Sequence, residues 1–132
     1  MSQPSGRVLI VDDDPDYLEQ MKMYLQSRGY EVHSASSRPE GEKILEEIAP
    51  DIAVLDLMME NEDDGFVLSY RIKRKYPSTP VILVTAVTHE TGLEFDETED
   101  NGNWIKADTI LAKPIRFEQL EREIARLLRD KA

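Results

Sequence analysis

The sequence predicts an α/β fold, a doubly wound parallel sheet of five strands with helices on both faces. Two observations carry that expectation. Short apolar runs alternate along the whole chain with longer stretches whose apolar residues recur at helical spacing. Most of those short runs are also continuous and rich in branched side chains, as strands are when helices cover both sheet faces.

Taken in order, Val8–Val11 is the first such run, and Tyr17, Leu18, Met21, Tyr24 and Leu25 mark a helix that Gly29 stops. Glu31–Ala35 mixes polar and apolar residues, as an edge strand does. Ser37 with Glu40 forms a capping box ahead of Ile44, Leu45 and Ile48. Ile52–Leu55 is the third strand. Phe66, Val67, Tyr70 and Ile72 define a third helix, ended by Pro77. Val81–Val84 is the fourth strand, and Thr109–Ala112 is a weaker example of a doubly buried fifth. Phe117, Leu120, Ile124, Leu127 and Leu128 give the last helix, with basic residues at its C-terminal end where the helix dipole favours them. The interval from Thr88 to Asp108 has two glycines, seven acidic residues and no sustained apolar period, so an irregular exposed loop with at most a short helix is expected.

A chain of 132 residues suffices for a single domain with one core, expected over about residues 6–130. The absence of cysteine removes disulfides, thiolate nucleophiles and zinc–thiolate sites. The N-terminal segment lacks a signal-peptide pattern and no apolar run could span a bilayer, so a cytoplasmic protein without membrane insertion is expected. A net charge of −11 disfavours direct contact with nucleic acid and suits basic protein partners or cations.

Chemistry-bearing residues fall where strands end. Asp12, Asp13 and Asp14 follow the first strand, Asp56 ends the third, Thr85 the fourth, and Lys113 follows the fifth. The C-terminal strand ends of an open parallel sheet form one rim, so carboxylates, a hydroxyl and an ammonium should converge there. Crowded carboxylates repel and call for a cation. An all-oxygen set with room for water suits Mg²⁺ (or Mn²⁺), and the ensemble suits phosphoryl transfer, which needs positioning and charge neutralisation. The bland alternative is that the acidic triplet merely starts a helix. Thr85 or Lys113 alone would carry little; the weight is joint.

The motifs VLIVDDDPD (8–16), PDIAVLDLMM (50–59), VILVTAV (81–87) and LAKPI (111–115) resemble the response-regulator receiver family of two-component signalling, over nearly the whole chain. The resemblance implies a flavodoxin-like sheet of order 2-1-3-4-5. It also implies that Asp13, Asp56 and the backbone carbonyl of Met58 bind Mg²⁺ directly, with Asp12 acting through a water. Asp56 would accept phosphate from a histidine kinase or histidine phosphotransfer protein, Thr85 and Lys113 would bind the phosphoryl group, and Lys113-Pro114 would be cis. Asp14 would not be a ligand. The implied product is a switch acting on a downstream protein and not a turnover enzyme. With no output segment after Ala132, signalling is expected to run through a partner surface, a dimer or phosphate relay; a longer natural chain stays open.

Three departures from the family pattern stand out. Glu60 occupies a proline position in a loop that is one residue longer, the Thr85–Lys113 interval is longer than usual with residues 91–108 in place of the usual fourth helix, and Ile110 stands where a switch aromatic is usual. Trp104, Phe95 and Leu93 read as anchors for that interval. Glu97, Glu99, Asn101, Gly102 and Asp108 resemble a calcium loop only weakly. His33 and His89 read as edge or exposed residues. Two other functions compete: a pseudo-receiver that only binds proteins, and a small haloacid-dehalogenase-like phosphatase. The second is disfavoured because Asp12–Asp16 lacks the hydroxyl or valine after its acidic pair and no acidic pair follows Lys113.

Overall fold

The computed structural model describes residues 6–57, 64–85 and 108–131. Within them the order is β1 (Arg7–Val11), α1 (Pro15–Ser27), β2 (Glu31–Ala35), α2 (Arg38–Glu47), β3 (Ile52–Asp56), α3 (Asp64–Lys75), β4 (Val81–Thr85), β5 (Thr109–Ala112) and α4 (Phe117–Lys131). The strands form one sheet in the order β2-β1-β3-β4-β5, every pair parallel. Both the fold class and the strand order match expectation.

Alternation along each strand explains why the runs are continuously apolar. Val8, Ile10, Val54, Ile82 and Val84 face one side and pack with Leu18, Met21 and Leu25 of α1 and Leu120, Ile124 and Leu127 of α4. Leu9, Val11, Leu55, Val81 and Leu83 face the other and pack with Leu45 of α2 and Leu68 and Ile72 of α3. Burying each such side chain stabilises the fold by about 1.5–3 kcal/mol before entropy is counted.

Helix ends follow their sequence signals closely. Asp14 caps α1, its Oδ1 accepting from the backbone N–H of Asp16 and Tyr17. At the other end Gly29 adopts φ 96°, its N–H donates to Gln26 O and that of Tyr30 to Leu25 O, the pairing that a left-handed residue after a helix permits. Ser37 caps α2 and accepts from Glu40 N, but Glu40 reaches back one residue further than expected, to Ser36 N at 3.0 Å.

Three expectations need correction. On α3 the buried face is Gly65, Leu68, Ser69 and Ile72, while Val67 is only partly buried and Tyr70 is exposed. A small glycine and a serine let that helix sit close to the sheet, so its inner face sets small residues beside Leu68 and Ile72. Ile48 lies just outside α2 as its C-cap. Finally, β5 is not buried on both faces: it forms the edge opposite β2, with Thr109 and Ile110 partly exposed and Ala112 exposed.

Candidate functional site: an acidic rim at the strand ends

Register brings the candidate residues level. Val11 pairs with Leu55, so Asp12 and Asp56 stand side by side one step further along. Asp56 pairs with Val84 and Thr85 with Ala112, which sets Thr85 and Lys113 just beyond. Backbone hydrogen bonds extend each ladder by one rung: Asp12 N donates to Ala35 O at 3.1 Å, Leu57 N to Val84 O at 2.8 Å, and Lys113 N to Thr85 O at 2.8 Å. The site thus continues the hydrogen-bonded sheet.

The side chains converge as expected. Ligand oxygens of Asp12, Asp13 and Asp56 all lie within 4.8 Å of one another. Asp12 and Asp56 are buried, at 2% and 6% exposure, whereas Asp13 faces solvent. Lys113 Nζ sits 3.1 Å from Asp12 Oδ2 and 3.5 Å from Asp56 Oδ2. Desolvation alone would lower the proton affinity of Lys113. The hydrogen bond that its ammonium donates to Asp12 and the charges of Asp56 and Asp12 outweigh it, so its pKa is raised above the ordinary 10.5. The Lys113-Pro114 peptide is cis, as the resemblance implied.

One ammonium against three carboxylates leaves two negative charges in excess. At an effective dielectric near about 20, each like-charge pair at this spacing costs about 3.5 kcal/mol. The donors are all oxygen, with no imidazole or thiolate among the three, and that composition fits Mg²⁺. Thr85 completes the rim: its Oγ1 is buried and has no hydrogen-bond partner among the described residues. Leaving a buried hydroxyl unpaired typically costs about 1–3 kcal/mol, a cost that an incoming acceptor would relieve.

Three features escaped the sequence reading. Tyr17, read only as core, turns its ring toward the site, with Lys113 Nζ 5.2 Å from the ring centre. Gly65 lets the first turn of α3 press on β3, because a Cβ there would lie 2.4 Å from the carbonyl oxygen of Asp56. Buried Asp64 pairs with Arg38 at 3.3 Å, joining the starts of α2 and α3. A glycine in the first turn of a helix was the available signal for the second; the other two depend on packing.

Asp14 caps α1 and so does what the bland reading assigned to the whole triplet. Asp108 ties β4 to β5, accepting from Val81 N and pairing with Lys73 at 2.7 Å. Ile110 packs against the core on the α2–α3 side. His33 lies on edge strand β2, 2.8 Å from Glu31. The expectations for Met58, Glu60, the 88–107 interval with Leu93, Phe95 and Trp104, and His89 fall outside the described residues.

A family model described as response regulator receiver domain matches residues 8–125. The DNA-binding dual master transcriptional regulator RpaA of Synechocystis is 32% identical over 127 residues, covering 93% of this chain and 49% of that protein. Transcriptional regulatory protein GlrR of Escherichia coli is 40% identical over 86 residues, covering 65% of this chain and 19% of that protein. The chain therefore spans half or less of these relatives. Among solved structures, a CheY-like receiver domain protein from Methanospirillum hungatei superimposes with TM-score 0.82 at 27% identity, covering 98% of this chain and 97% of that one. Response regulator protein TrrA from Thermotoga maritima, in complex with Mg²⁺-BeF, gives 0.74 at 30% identity, covering 92% and 97%.

Proposed function

Because the chain belongs to the response-regulator receiver family, we propose that Asp56 is its phosphoacceptor, with Asp13 and Asp56 as direct Mg²⁺ ligands, Asp12 acting through a water, and Met58 adding its backbone carbonyl. The observation that carries this is the rim itself: among the described residues, a buried carboxylate lies near two more and one ammonium, and a buried hydroxyl at the next strand end has no hydrogen-bond partner.

An oxygen of Asp56 attacks the phosphorus of a histidine-borne phosphoryl group. The new O–P bond forms as the N–P bond breaks, and the electron pair returns to the imidazole nitrogen, which keeps or takes up a proton. Mg²⁺ held by Asp13, Asp56 and the Met58 carbonyl would supply neutralisation of the negative charge gathered during the transfer. Lys113, already between Asp12 and Asp56, exchanges a carboxylate oxygen for a phosphoryl oxygen. Thr85 gains an acceptor for its buried hydroxyl, and that gain is what couples phosphorylation to the end of β4. That TrrA, of the same fold, forms a complex with Mg²⁺-BeF supports a Mg²⁺-dependent reading of this chain.

The donor is a sensor histidine kinase or a histidine phosphotransfer protein, and the output a downstream protein surface; the domain is not a turnover enzyme. DNA binding is a property named for RpaA. At a net charge of −11, this domain is proposed not to touch nucleic acid itself. Among the described residues no helix is long and apolar enough to cross a membrane, and a cytoplasmic setting is proposed. Labelling with acetyl phosphate in Mg²⁺ tests the reading. One phosphoryl group per chain should be trapped, and Asp56→Ala should abolish it. Equal labelling of that variant overturns the assignment, whereas repeated turnover of phosphate esters would favour the phosphatase.

A further inference from the structure

We infer that Tyr17 is a positioning residue that holds Lys113 over the phosphorylation site while its ion-pair partners change. This rests on the reading of Asp56 and Lys113 given above. The ring of Tyr17 lies under the ammonium of Lys113, 5.2 Å from centre to Nζ. Its hydroxyl accepts the backbone N–H of Ile115 at 3.2 Å. One side chain therefore touches the Lys113–Ile115 turn at two points, one on each side of Pro114.

Tyr17 is itself fixed to the rim. Its backbone N–H donates to Asp14 Oδ1, Asp14 N donates to Asp12 Oδ1, and Asp12 Oδ2 meets Lys113 Nζ. Together with the Ile115 contact these bonds close a circuit from Asp12 through Asp14 and Tyr17 back to Lys113. Phe117, at the start of α4, lies against the tyrosine ring, with ring centres 6.1 Å apart and planes inclined at 53°.

The circuit matters because of what Lys113 must do. At rest its charge is held by Asp12 and Asp56. Once Asp56 carries a phosphoryl group, one of those partners is gone and the ammonium must find an oxygen on the new group. A lysine stem has several free torsions to exploit during that exchange. The aromatic face is the contact that stays the same in both states, since a ring quadrupole attracts the ammonium whichever anion it also touches.

The test uses the full chain with Mg²⁺ and acetyl phosphate, a donor too small to need a kinase docking surface, and compares Tyr17→Phe with Tyr17→Leu. Phenylalanine keeps the ring and loses the hydroxyl; leucine keeps apolar volume and loses both. Labelling of Asp56 should slow about twofold to threefold in Tyr17→Phe and about tenfold in Tyr17→Leu, the rate equivalents of one hydrogen bond and of that bond plus a cation–ring contact. Mg²⁺ affinity, read by titration calorimetry, should stay within about twofold because the carboxylates are untouched. The side-chain nitrogen resonance of Lys113 should move in Tyr17→Leu and much less in Tyr17→Phe. Wild-type labelling rates with an unmoved Lys113 resonance in Tyr17→Leu overturn the inference. So does a parallel fall in Mg²⁺ affinity and folding stability, which would make Tyr17 a packing residue. If the wild type fails to label at Asp56 while the Lys113 resonance still moves in Tyr17→Leu, the phosphoacceptor reading falls and with it the role in phosphorylation, and only the Tyr17–Lys113 contact stands.

Discussion

Replacing Gly65 with alanine sets two effects of opposite sign against each other, and the structure decides between them. In a helix alanine is favoured over glycine by up to about 1 kcal/mol. At Gly65, however, the added Cβ would lie 2.4 Å from Asp56 O, 2.5 Å from Leu57 Cα and 2.7 Å from Leu57 O. Carbon atoms prefer separations nearer about 3.5–4.0 Å, so α3 must retreat by roughly 1 Å. All three obstacles are backbone at the end of a central strand, held by the bond from Leu57 N to Val84 O, so the strand cannot yield alone. Overpacking of this kind costs about 1–3 kcal/mol, and backbone obstacles place it at the upper end. The expected net loss is about 2 kcal/mol. Gly41 provides the control. It too is helical, but its added Cβ would meet side chains and not backbone, Leu68 Cδ2 at 3.1 Å and the stiffer Val11 Cγ2 at 3.3 Å. These can shift by a few tenths of an ångström, so Gly41→Ala should stay within about 0.5–1 kcal/mol of wild type. Urea unfolding of both variants in Mg²⁺-free buffer measures the difference, and Gly65→Ala should also label more slowly because Asp56 is displaced. Equal stability of the two variants would refute the claim that α3 rests directly on the phosphoacceptor backbone.

Two further outcomes follow from the charges at the rim. Lys113→Met leaves two buried carboxylates without their ammonium. Breaking such a pair can cost about 3–5 kcal/mol, and partial solvent access at Lys113 reduces the expected loss to about 1–3 kcal/mol. Mg²⁺ should then raise the unfolding temperature of the variant by more than that of the wild type, because it replaces the missing charge; equal shifts would count against the site. The wild type should also lose stability at alkaline pH. The pKa of Lys113 is raised above 10.5 on folding, so its contribution is complete below that value and is lost as pH climbs through the raised one. Burial raises Tyr17 and Tyr30 above 10.0, which acts in the same direction. Urea midpoints between about pH 8 and 11 should therefore fall in both proteins, but less steeply in Lys113→Met. Identical slopes would contradict the pairing.

The sequence by itself determined the sheet, the chemistry and most helix ends, because each depends on local or periodic information. Unbroken runs such as Val8–Val11 and Val81–Val84 are apolar on both faces only if helices cover both faces. Parallel strands in such a sheet all end at one rim, so Asp12, Asp56, Thr85 and Lys113 could be gathered without knowing a single distance. Gly29 and Ser37 mark helix boundaries through their own backbone and side-chain chemistry.

Tertiary structure decided what depends on which surfaces meet. Thr109–Ala112 taken alone reads as a weak doubly buried strand; the sheet order that the family resemblance implied makes it an edge, and the structure shows how far that exposes it, because no property of its four residues encodes its neighbours. On α3, Tyr70 faces out and Ser69 in, because fit against a twisted sheet favours small residues at the closest approach over hydrophobicity alone. Tyr17 meets Lys113 across 96 residues of sequence, as the difference of their numbers shows, and only the packing of α1 against the β5–α4 turn makes them neighbours. Side-chain type is written in the chain; separation in space is a property of the closed fold.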